Sequence, residues 1–245
     1  MHAFFASARP LVFAHRGGSA LAPENTMTAF ANGLALGADG LELDVHLSRD
    51  GHVVVHHDRA LDRTTSLRGP IAARDADELE NASVPRLADV LRIHRDVRVI
   101  VELKVNSVEL ARALVDVVRA ADAVERVCAG SFGLRVLRAV RALEPAMATS
   151  AAREDVRWAL YRSWLRCSPG RVPYQGFQVP EFAGRTRVVS RNFVACAHRA
   201  GLAVQVWTVD CEDDARRLLA WGVDALITDR PDIIVPIVHA RADHR

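Results

Sequence analysis

The length, composition and charge of the chain exclude several classes of protein. It has 245 residues, of which 50% are hydrophobic and 25% are charged, as in ordinary folded proteins. The 32 basic and 30 acidic residues give a net charge of only +2, which predicts no broad attraction to nucleic acid or anionic lipid. The N-terminus lacks the pattern of a signal peptide, and no apolar run reaches the roughly 18 residues that span a bilayer. We therefore expect a cytoplasmic protein without stable membrane insertion, whose cysteines are free thiols.

Short apolar runs alternate with helical patterns along the whole chain. Strands are predicted at 11–14, 41–45, 53–55, 97–103, 127–130, 146–149, 177–179, 203–209 and 225–228. Helices are predicted at 26–36, 87–94, 108–121, 134–143, 154–165, 192–200 and 213–220. Since no linker divides this series, we interpret residues 1–245 as a single α/β domain built on a parallel sheet.

Two segments break the regular alternation. The connection from residue 44 to residue 53 is too short for the crossover helix that parallel strands need, so a barrel would be irregular there. Residues 58–84 form a loop-rich excursion, which we expect near the mouth of the site. A closed barrel of this type holds eight strands, whereas nine are predicted. We assign the surplus strand to residues 177–179.

Acidic residues occupy one face of two predicted strands. Glu42 and Asp44 share a face of the second strand, and Glu102 shares a face with Lys104 in the fourth. If both faces point into one barrel, three carboxylates converge, and each like-charged pair ~4 Å apart costs roughly 4 kcal/mol at an effective dielectric of about 20. Lys104 balances one charge, but a hard divalent ion, Mg²⁺ or Ca²⁺, balances the cluster better. The alternative is an edge strand that presents Glu42 and Asp44 to solvent.

Two histidines end apolar strands at matching positions. His15 follows the first predicted strand, and His57 closes the run that begins at Val53. Polar residues at strand ends line the catalytic face of a parallel barrel, and imidazoles there suit proton transfer near neutral pH. The alternative for each is a structural hydrogen bond. Arg16, followed by two glycines, offers a planar fork for phosphate oxygens, although a Gly-Gly pair more often marks a tight turn. The weaker candidates are His46, His52 and His56.

An ordered series of short motifs covers nearly the whole chain. The motifs are His15-Arg-Gly-Gly18, Pro23-Glu-Asn-Thr26, Glu42-Leu-Asp44, Asp50-Gly51, His57-Asp58, Leu61-Asp-Arg-Thr-Thr65, Pro85-Arg-Leu87, Glu102-Leu-Lys104, Ser131-Phe132, Trp207-Thr-Val209 and Thr228-Asp-Arg-Pro231. In this order they resemble the glycerophosphodiester phosphodiesterases. The resemblance implies a single irregular (β/α)8 TIM-type barrel, a divalent cation, and hydrolysis of a small-molecule glycerophosphodiester to glycerol 3-phosphate and an alcohol.

The resemblance also implies roles for particular residues. Those roles are metal ligand for Glu42, Asp44 and Glu102, acid or base for His15 and His57, and phosphate binding for Arg16 and Lys104. Trp207 stacks on the substrate or holds a choline headgroup, or else it only packs in the barrel. His46 and Asp210 depart from the commonest form of the family, in which uncharged polar residues such as Gln and Asn stand at these positions. These departures concern substrate choice rather than the core chemistry.

Two other functions fit the same sequence. A lysophospholipase D-like or sphingomyelinase D-like enzyme would keep the barrel and the metal but would need an apolar rim. Trp158, Tyr161, Trp164 and Leu165 could form this rim. The simpler interpretation places these four residues on one face of an ordinary amphipathic helix. A non-catalytic barrel that binds phosphodiesters is the second alternative.

Overall fold

Eight parallel strands form a nearly closed barrel in the computed structural model, which describes residues 2–242. All strands, including three outside the barrel, are β1 Leu11–His15, β2 Gly40–Leu47, β3 Val53–Val55, β4 Arg98–Leu103, β5 Val127–Gly130, β6 Ala148–Thr149, β7 Gly176–Pro180, β8 Phe182–Ala183, β9 Thr186–Arg187, β10 Ala203–Trp207 and β11 Ala225–Thr228. The order around the barrel is β6, β5, β4, β2, β1, β11, β10 and β7, and a parallel bridge between Ser150 and Gly176 joins the two ends. The predicted α/β barrel is confirmed.

Helices surround the strands. Within residues 2–242 they are α1 Met27–Ala35, α2 Ala76–Glu80, α3 Leu87–Ile93, α4 Val108–Ala120, α5 Leu134–Leu143, α6 Arg153–Trp164, α7 Arg191–His198, α8 Glu212–Trp221 and α9 Pro231–Ala242. All the predicted helices are present, with ends that differ by a residue or two. Two helices were not predicted: α2, which is very short, and α9, whose internal Pro236 interrupts its helical pattern. None of the helices described has the length and the apolar character that a membrane span requires.

The barrel is irregular where the chain returns from β2. A tight turn follows β2, and β3 runs back antiparallel to it with Val55 opposite Val45. The surplus strand is therefore β3, and its assignment to residues 177–179 is wrong. Those residues belong to β7, which pairs in parallel with β10 and buries Phe177 completely. A short apolar run looks the same in a barrel strand and in an extra strand, because only the pairing partner distinguishes them.

Strand alternation separates an apolar shell from the barrel interior. Leu41, Leu43 and Val45 point outward and pack in the cluster that includes α3 and α4, while Glu42 and Asp44 point inward. The amino end of the barrel interior is filled by a cluster that includes Phe4, Phe5, Leu11, Phe13, Ile100, Cys128, Ala203 and Ile227. Burial of each large apolar side chain of this kind stabilises the folded state by roughly 1.5–3 kcal/mol. The charged residues thus stand above a solid apolar base, at the carboxyl ends of the strands.

The excursion at 58–84 packs beside the barrel. Leu61, Ile71 and Leu79 form a small apolar cluster with Val54 of β3. At the start of α2 the N–H of Asp75 donates to Glu78 Oε2 at 3.1 Å. None of residues 58–84 lines the central cavity. This segment reaches the site through hydrogen bonds instead.

Candidate active site

Three carboxylates meet inside the carboxyl end of the barrel. Glu42 and Asp44 come from β2 and Glu102 from β4, and the parallel register places Asp44 beside Glu102. One carboxylate oxygen of each lies within 4.8 Å of the others. Glu42 is only 4% exposed and Asp44 only 1% exposed, so neither faces solvent from an edge strand. The structure brings together the carboxylates that the strand pattern placed on inward faces.

Basic groups balance part of this charge. Lys104 Nζ lies 2.8 Å from Asp44 Oδ1 and 3.2 Å from Glu102 Oε1. Arg16 Nε lies 3.2 Å from Asp44 Oδ2, to which Asn25 Nδ2 donates a hydrogen bond of 2.9 Å. Burial opposes ionisation of Asp44, but Lys104 and then Arg16 outweigh it and lower the pKa of this carboxyl. Asp44 is therefore ionised at neutral pH.

Glu42 is the carboxylate whose charge is not balanced. Burial and then the charge of Asp44 raise the pKa of Glu42 to about 8, although His15 and Lys104 act in the opposite direction. The nearest imidazole nitrogen, His15 Nε2, stays 3.7 Å from Glu42 Oε2. The protein alone thus leaves the cluster short of positive charge, which a bound proton or a cation supplies.

A carboxylate orients His15 from the far end of the chain. His15 Nδ1 lies 2.6 Å from Asp229 Oδ1, and Asp229 N–H donates to Asp210 Oδ1 at 2.7 Å. Burial lowers the pKa of His15, but the charge of Glu42 and the bond to Asp229 outweigh it and raise the pKa overall. Asp210 also accepts from the hydroxyl of Thr228 at 2.9 Å. This departure from the family's commonest residue therefore supports the partner of His15.

A second carboxylate orients His57. His57 Nδ1 lies 2.6 Å from Asp58 Oδ1, and Arg63 Nε donates to Asp58 Oδ2 at 2.7 Å. The hydrogen bond from Arg63 holds the pKa of Asp58 well below its usual range, with His57 adding to the effect. Arg63 also donates twice to Glu24, at 2.9 and 2.7 Å, and Glu24 accepts from Arg16 Nη1 at 3.2 Å. The excursion at 58–84 thus braces one imidazole and, through Glu24, the guanidinium of Arg16.

The remaining histidine candidates lie outside the cavity. His46 Nε2 is 3.1 Å from the carbonyl oxygen of His57, and burial lowers the pKa of His46. His56 bonds to the carbonyl of Asp58 and to the hydroxyl of Thr64, each at 2.9 Å. His52 is exposed in the turn after β2. His46 and His56 thus make structural contacts, whereas the ring of His52 lies 3.7 Å from Asp50 Oδ2 in the turn.

The site opens into a cavity of about 780 Å³ with two unlike walls. One wall carries the polar groups His15, Arg16, Glu42, Asp44, His57, Glu102 and Lys104. The opposite wall carries the apolar groups Phe132, Val156, Leu160, Tyr161, Trp164, Phe182 and Trp207. Trp207 meets the ring of Phe132 edge to face at 6.1 Å and also borders the cavity. Trp207 therefore packs against Phe132 and lines the cavity at the same time.

The aromatic residues of α6 do not lie on the buried face of this helix. The buried positions of α6 are Ala159, Leu160 and Ser163, whereas Trp158, Tyr161, Trp164 and Leu165 are at least half exposed. The interpretation of these four residues as the face of an ordinary amphipathic helix is therefore wrong. Exposed apolar groups at a cavity mouth match the rim that the alternative interpretation required.

Comparison with known proteins decides the family. The model of the glycerophosphoryl diester phosphodiesterase family matches residues 15–233. The chain belongs to this family. A glycerophosphodiester phosphodiesterase of Caldanaerobacter subterraneus is 30% identical over 252 residues, which cover 94% of this chain and 98% of the relative. A probable glycerophosphodiester phosphodiesterase 2 of Mycobacterium tuberculosis is 33% identical over 250 residues, which cover 95% and 92% of the two chains.

A solved structure extends the likeness to the whole barrel. The phosphodiesterase of Oleispira antarctica, in complex with the product sn-glycerol-3-phosphate, superposes with a TM-score of 0.75 at 26% identity. The match covers 98% of this chain and all of that one. The resemblance drawn from the motifs and the barrel fold are confirmed, and the protein is an enzyme of the phosphodiesterase class.

The sequence patterns gave no role to the carboxylates that hold the two histidines. Asp58 follows His57 directly, and Asp229 belongs to the last motif of the series, so both lie within the motifs already described. An acidic neighbour in sequence does not reveal which nitrogen it contacts, and Asp229 is 214 residues from its partner. Glu24 and Asn25 belong to the motif Pro23-Glu-Asn-Thr26, and the sequence assigned neither of them a role. Their contacts with Arg63 and Asp44 come from the tertiary structure.

Proposed function

We propose that this phosphodiesterase hydrolyses glycerophosphodiesters to glycerol 3-phosphate and an alcohol, with a divalent cation and two histidines. The observation that carries the proposal is a buried carboxylate cluster short of positive charge, in one cavity with two imidazoles that are each held by a carboxylate. Strongly perturbed ionisable groups gathered in a cleft are typical of catalytic sites.

The carboxylate cluster fits a hard cation. All three groups offer oxygen atoms, and ligand atoms within 4.8 Å of one another suit an ion that binds oxygen at about 2.0–2.6 Å. Glu42, Asp44 and Glu102 would hold the ion, and Mg²⁺ and Ca²⁺ both match this donor set. When bound, the ion supplies positive charge to a phosphate oxygen of the substrate.

The two imidazoles have equivalent arrangements for moving protons. In each ring Nδ1 is tied to an aspartate, at 2.6 Å in both cases, and this leaves Nε2 for the reacting groups. One ring takes the proton from the nucleophile, which is water or a glycerol hydroxyl of the substrate, and the other gives a proton to the leaving alkoxide. Attack by the glycerol hydroxyl forms a cyclic phosphate, which water then opens to glycerol 3-phosphate. Each proton transfer typically raises the reaction rate by roughly 10²- to 10⁴-fold.

Two cationic side chains surround the place where the phosphate would lie. Arg16 and Lys104 both border the cavity and already contact Asp44, so they are fixed before substrate arrives. Fixed charges stabilise the growing negative charge on phosphate without reorganisation during the reaction. Trp207, on the far wall, offers its ring to the glycerol or to the headgroup.

The proposal is tested by hydrolysis of glycerophosphocholine. The chelator-stripped protein should release glycerol 3-phosphate only after Mg²⁺ or Ca²⁺ is added, and an enzyme-coupled assay for glycerol 3-phosphate measures this release. Glu42→Gln and His15→Ala should abolish it. His52→Ala, which changes an exposed histidine outside the cavity, should keep full turnover. Full turnover by Glu42→Gln with chelator present rules out these assignments.

A second candidate function is supported by the apolar wall. Phe132, Leu160, Tyr161 and Trp164 would accommodate an acyl chain, as a lysophospholipase D-like or sphingomyelinase D-like reaction requires. Comparing glycerophosphocholine with micellar lysophosphatidylcholine and sphingomyelin distinguishes the candidates, because only a lipid-specific enzyme turns over the micelles faster. Ion binding without turnover of any of these diesters would instead favour a non-catalytic barrel.

A further inference from the structure

A cluster of large apolar side chains is exposed beside the mouth of the cavity. Trp158, Tyr161, Trp164 and Leu165, here called the α6 patch, are 53%, 50%, 60% and 77% exposed. The rings of Tyr161 and Trp164 meet edge to face at 5.2 Å, and both residues also border the cavity. Contiguous exposed groups of this size mark an interaction surface rather than ordinary solvent contact.

Arginines are interleaved with the residues of the α6 patch. Arg157, Arg162 and Arg166 fall within residues 157–166, a stretch without any acidic residue. Among the side chains described for residues 2–240, no carboxylate forms a salt bridge with these three arginines. The guanidinium of Arg162 lies over the ring of Trp158, at 5.5 Å from its centroid. The positive charge of the patch is therefore available to an outside partner.

The charge of the chain is unevenly distributed around this surface. Residues 153–191, which contain α6 and the β8–β9 hairpin, hold eight arginines and three acidic residues. This segment has a net charge of +5 in a chain of net charge +2. An even balance over the whole chain thus conceals one basic segment, and that segment supplies part of the cavity lining, including Arg153 and Arg157.

We propose that the α6 patch docks the protein on the surface of an anionic phospholipid bilayer. Tryptophan and tyrosine favour the interfacial layer of membranes, where leucine reaches the acyl chains, and arginine binds anionic headgroups. Side chains as exposed as Leu165 and Trp164 need no complementary pocket in a bilayer. A two-fold dimer through the same patch would instead place arginine against arginine. Docked in this way, the cavity mouth faces the lipid.

The proposal is tested by cosedimentation with vesicles. The chelator-stripped full chain should bind vesicles of phosphatidylcholine and phosphatidylglycerol, bind pure phosphatidylcholine at least ten-fold more weakly, and lose affinity as salt rises. Trp158→Ser combined with Leu165→Ser should weaken binding at least ten-fold, and Arg166→Glu should weaken it several-fold. Neither Trp158 nor Leu165 borders the cavity, so these changes leave the site intact.

Matched control variants distinguish an effect of the α6 patch on vesicle binding from the effect of changing any exposed apolar or basic residue. Ile93→Ser alters a residue of α3 that is 54% exposed, and Arg112→Glu alters an exposed arginine of α4. Both should bind vesicles like the wild type, and circular dichroism and melting should show that every variant is folded. Equal binding by the wild type and the Trp158/Leu165 variant overturns the proposal. So does a wild-type dimer that this variant dissociates in light scattering, because the patch would then join two copies.

Discussion

Replacing Glu42 by Gln tests the charge balance of the carboxylate cluster. In the protein without a cation, burial and then the charge of Asp44 raise the pKa of Glu42 from 4.5 to about 8. Because the folded-state pKa lies above the unfolded value, the proton stabilises the folded state fully below pH 4.5, and this stabilisation is lost as pH rises through about 8. Gln cannot ionise, so the variant lacks this dependence.

The size of the effect follows from the pKa difference. At about 1.4 kcal/mol for each pKa unit, the linkage predicts that Glu42 loses roughly 2 kcal/mol of unfolding free energy between about pH 6 and about pH 8. Glu42 is only 4% exposed, so solvent screening does not reduce this figure much. Urea unfolding of the wild type and Glu42→Gln, with chelator at both pH values, measures this loss together with the linked change in the titration of His15. The titrating groups that do not interact with Glu42 cancel.

Added cation completes the test. Saturating Mg²⁺ or Ca²⁺ near pH 8 should restore the stability of the wild type much more than that of Glu42→Gln, because a ligand that binds only the folded state stabilises it. Glu125→Gln, which changes an exposed glutamate, should follow the wild type throughout. Parallel loss of stability in the wild type and Glu42→Gln would refute the reasoning, since the buried cluster would then hold no surplus charge.

Three further changes test the support of the site and the fold. Asp229→Asn should lower kcat by about 10²-fold and lower the pKa of His15 in the cation-free protein; an unchanged His15 titration in NMR spectra contradicts the contact. Arg63→Ala should lower kcat roughly ten-fold because Asp58 loses its anchor, and normal steady-state kinetics would show that this anchor is dispensable. Phe177→Ala should lower the free energy of unfolding by about 3–5 kcal/mol, because Phe177 is fully buried against Tyr174 and Phe193. Urea unfolding measures this change, and a loss below about 1 kcal/mol argues against the place of Phe177 in the barrel.

Periodicity was sufficient to locate most of the secondary structure. In β2 the alternation of apolar and acidic residues identified the strand and the face that Glu42 and Asp44 share, because successive side chains of a strand point to opposite sides. That this face points inward came from the tertiary structure. The same reasoning failed at α9, where Pro236 interrupts the pattern, and at α2, which is too short to show one. It also could not tell β3 from β7, since both are short apolar runs and only the strand that each one pairs with distinguishes them.

The sequence by itself determined which side chains lie at the carboxyl ends of the strands. His15, Glu42 and Glu102 owe their places to local strand patterns. Only the tertiary structure decided how these groups are charged and held. The contact between His15 and Asp229 spans 214 residues, and the raised pKa of Glu42 depends on burial and on neighbouring charges. Local sequence sets the direction of a side chain, whereas its dielectric surroundings and distant partners exist only once the barrel has closed.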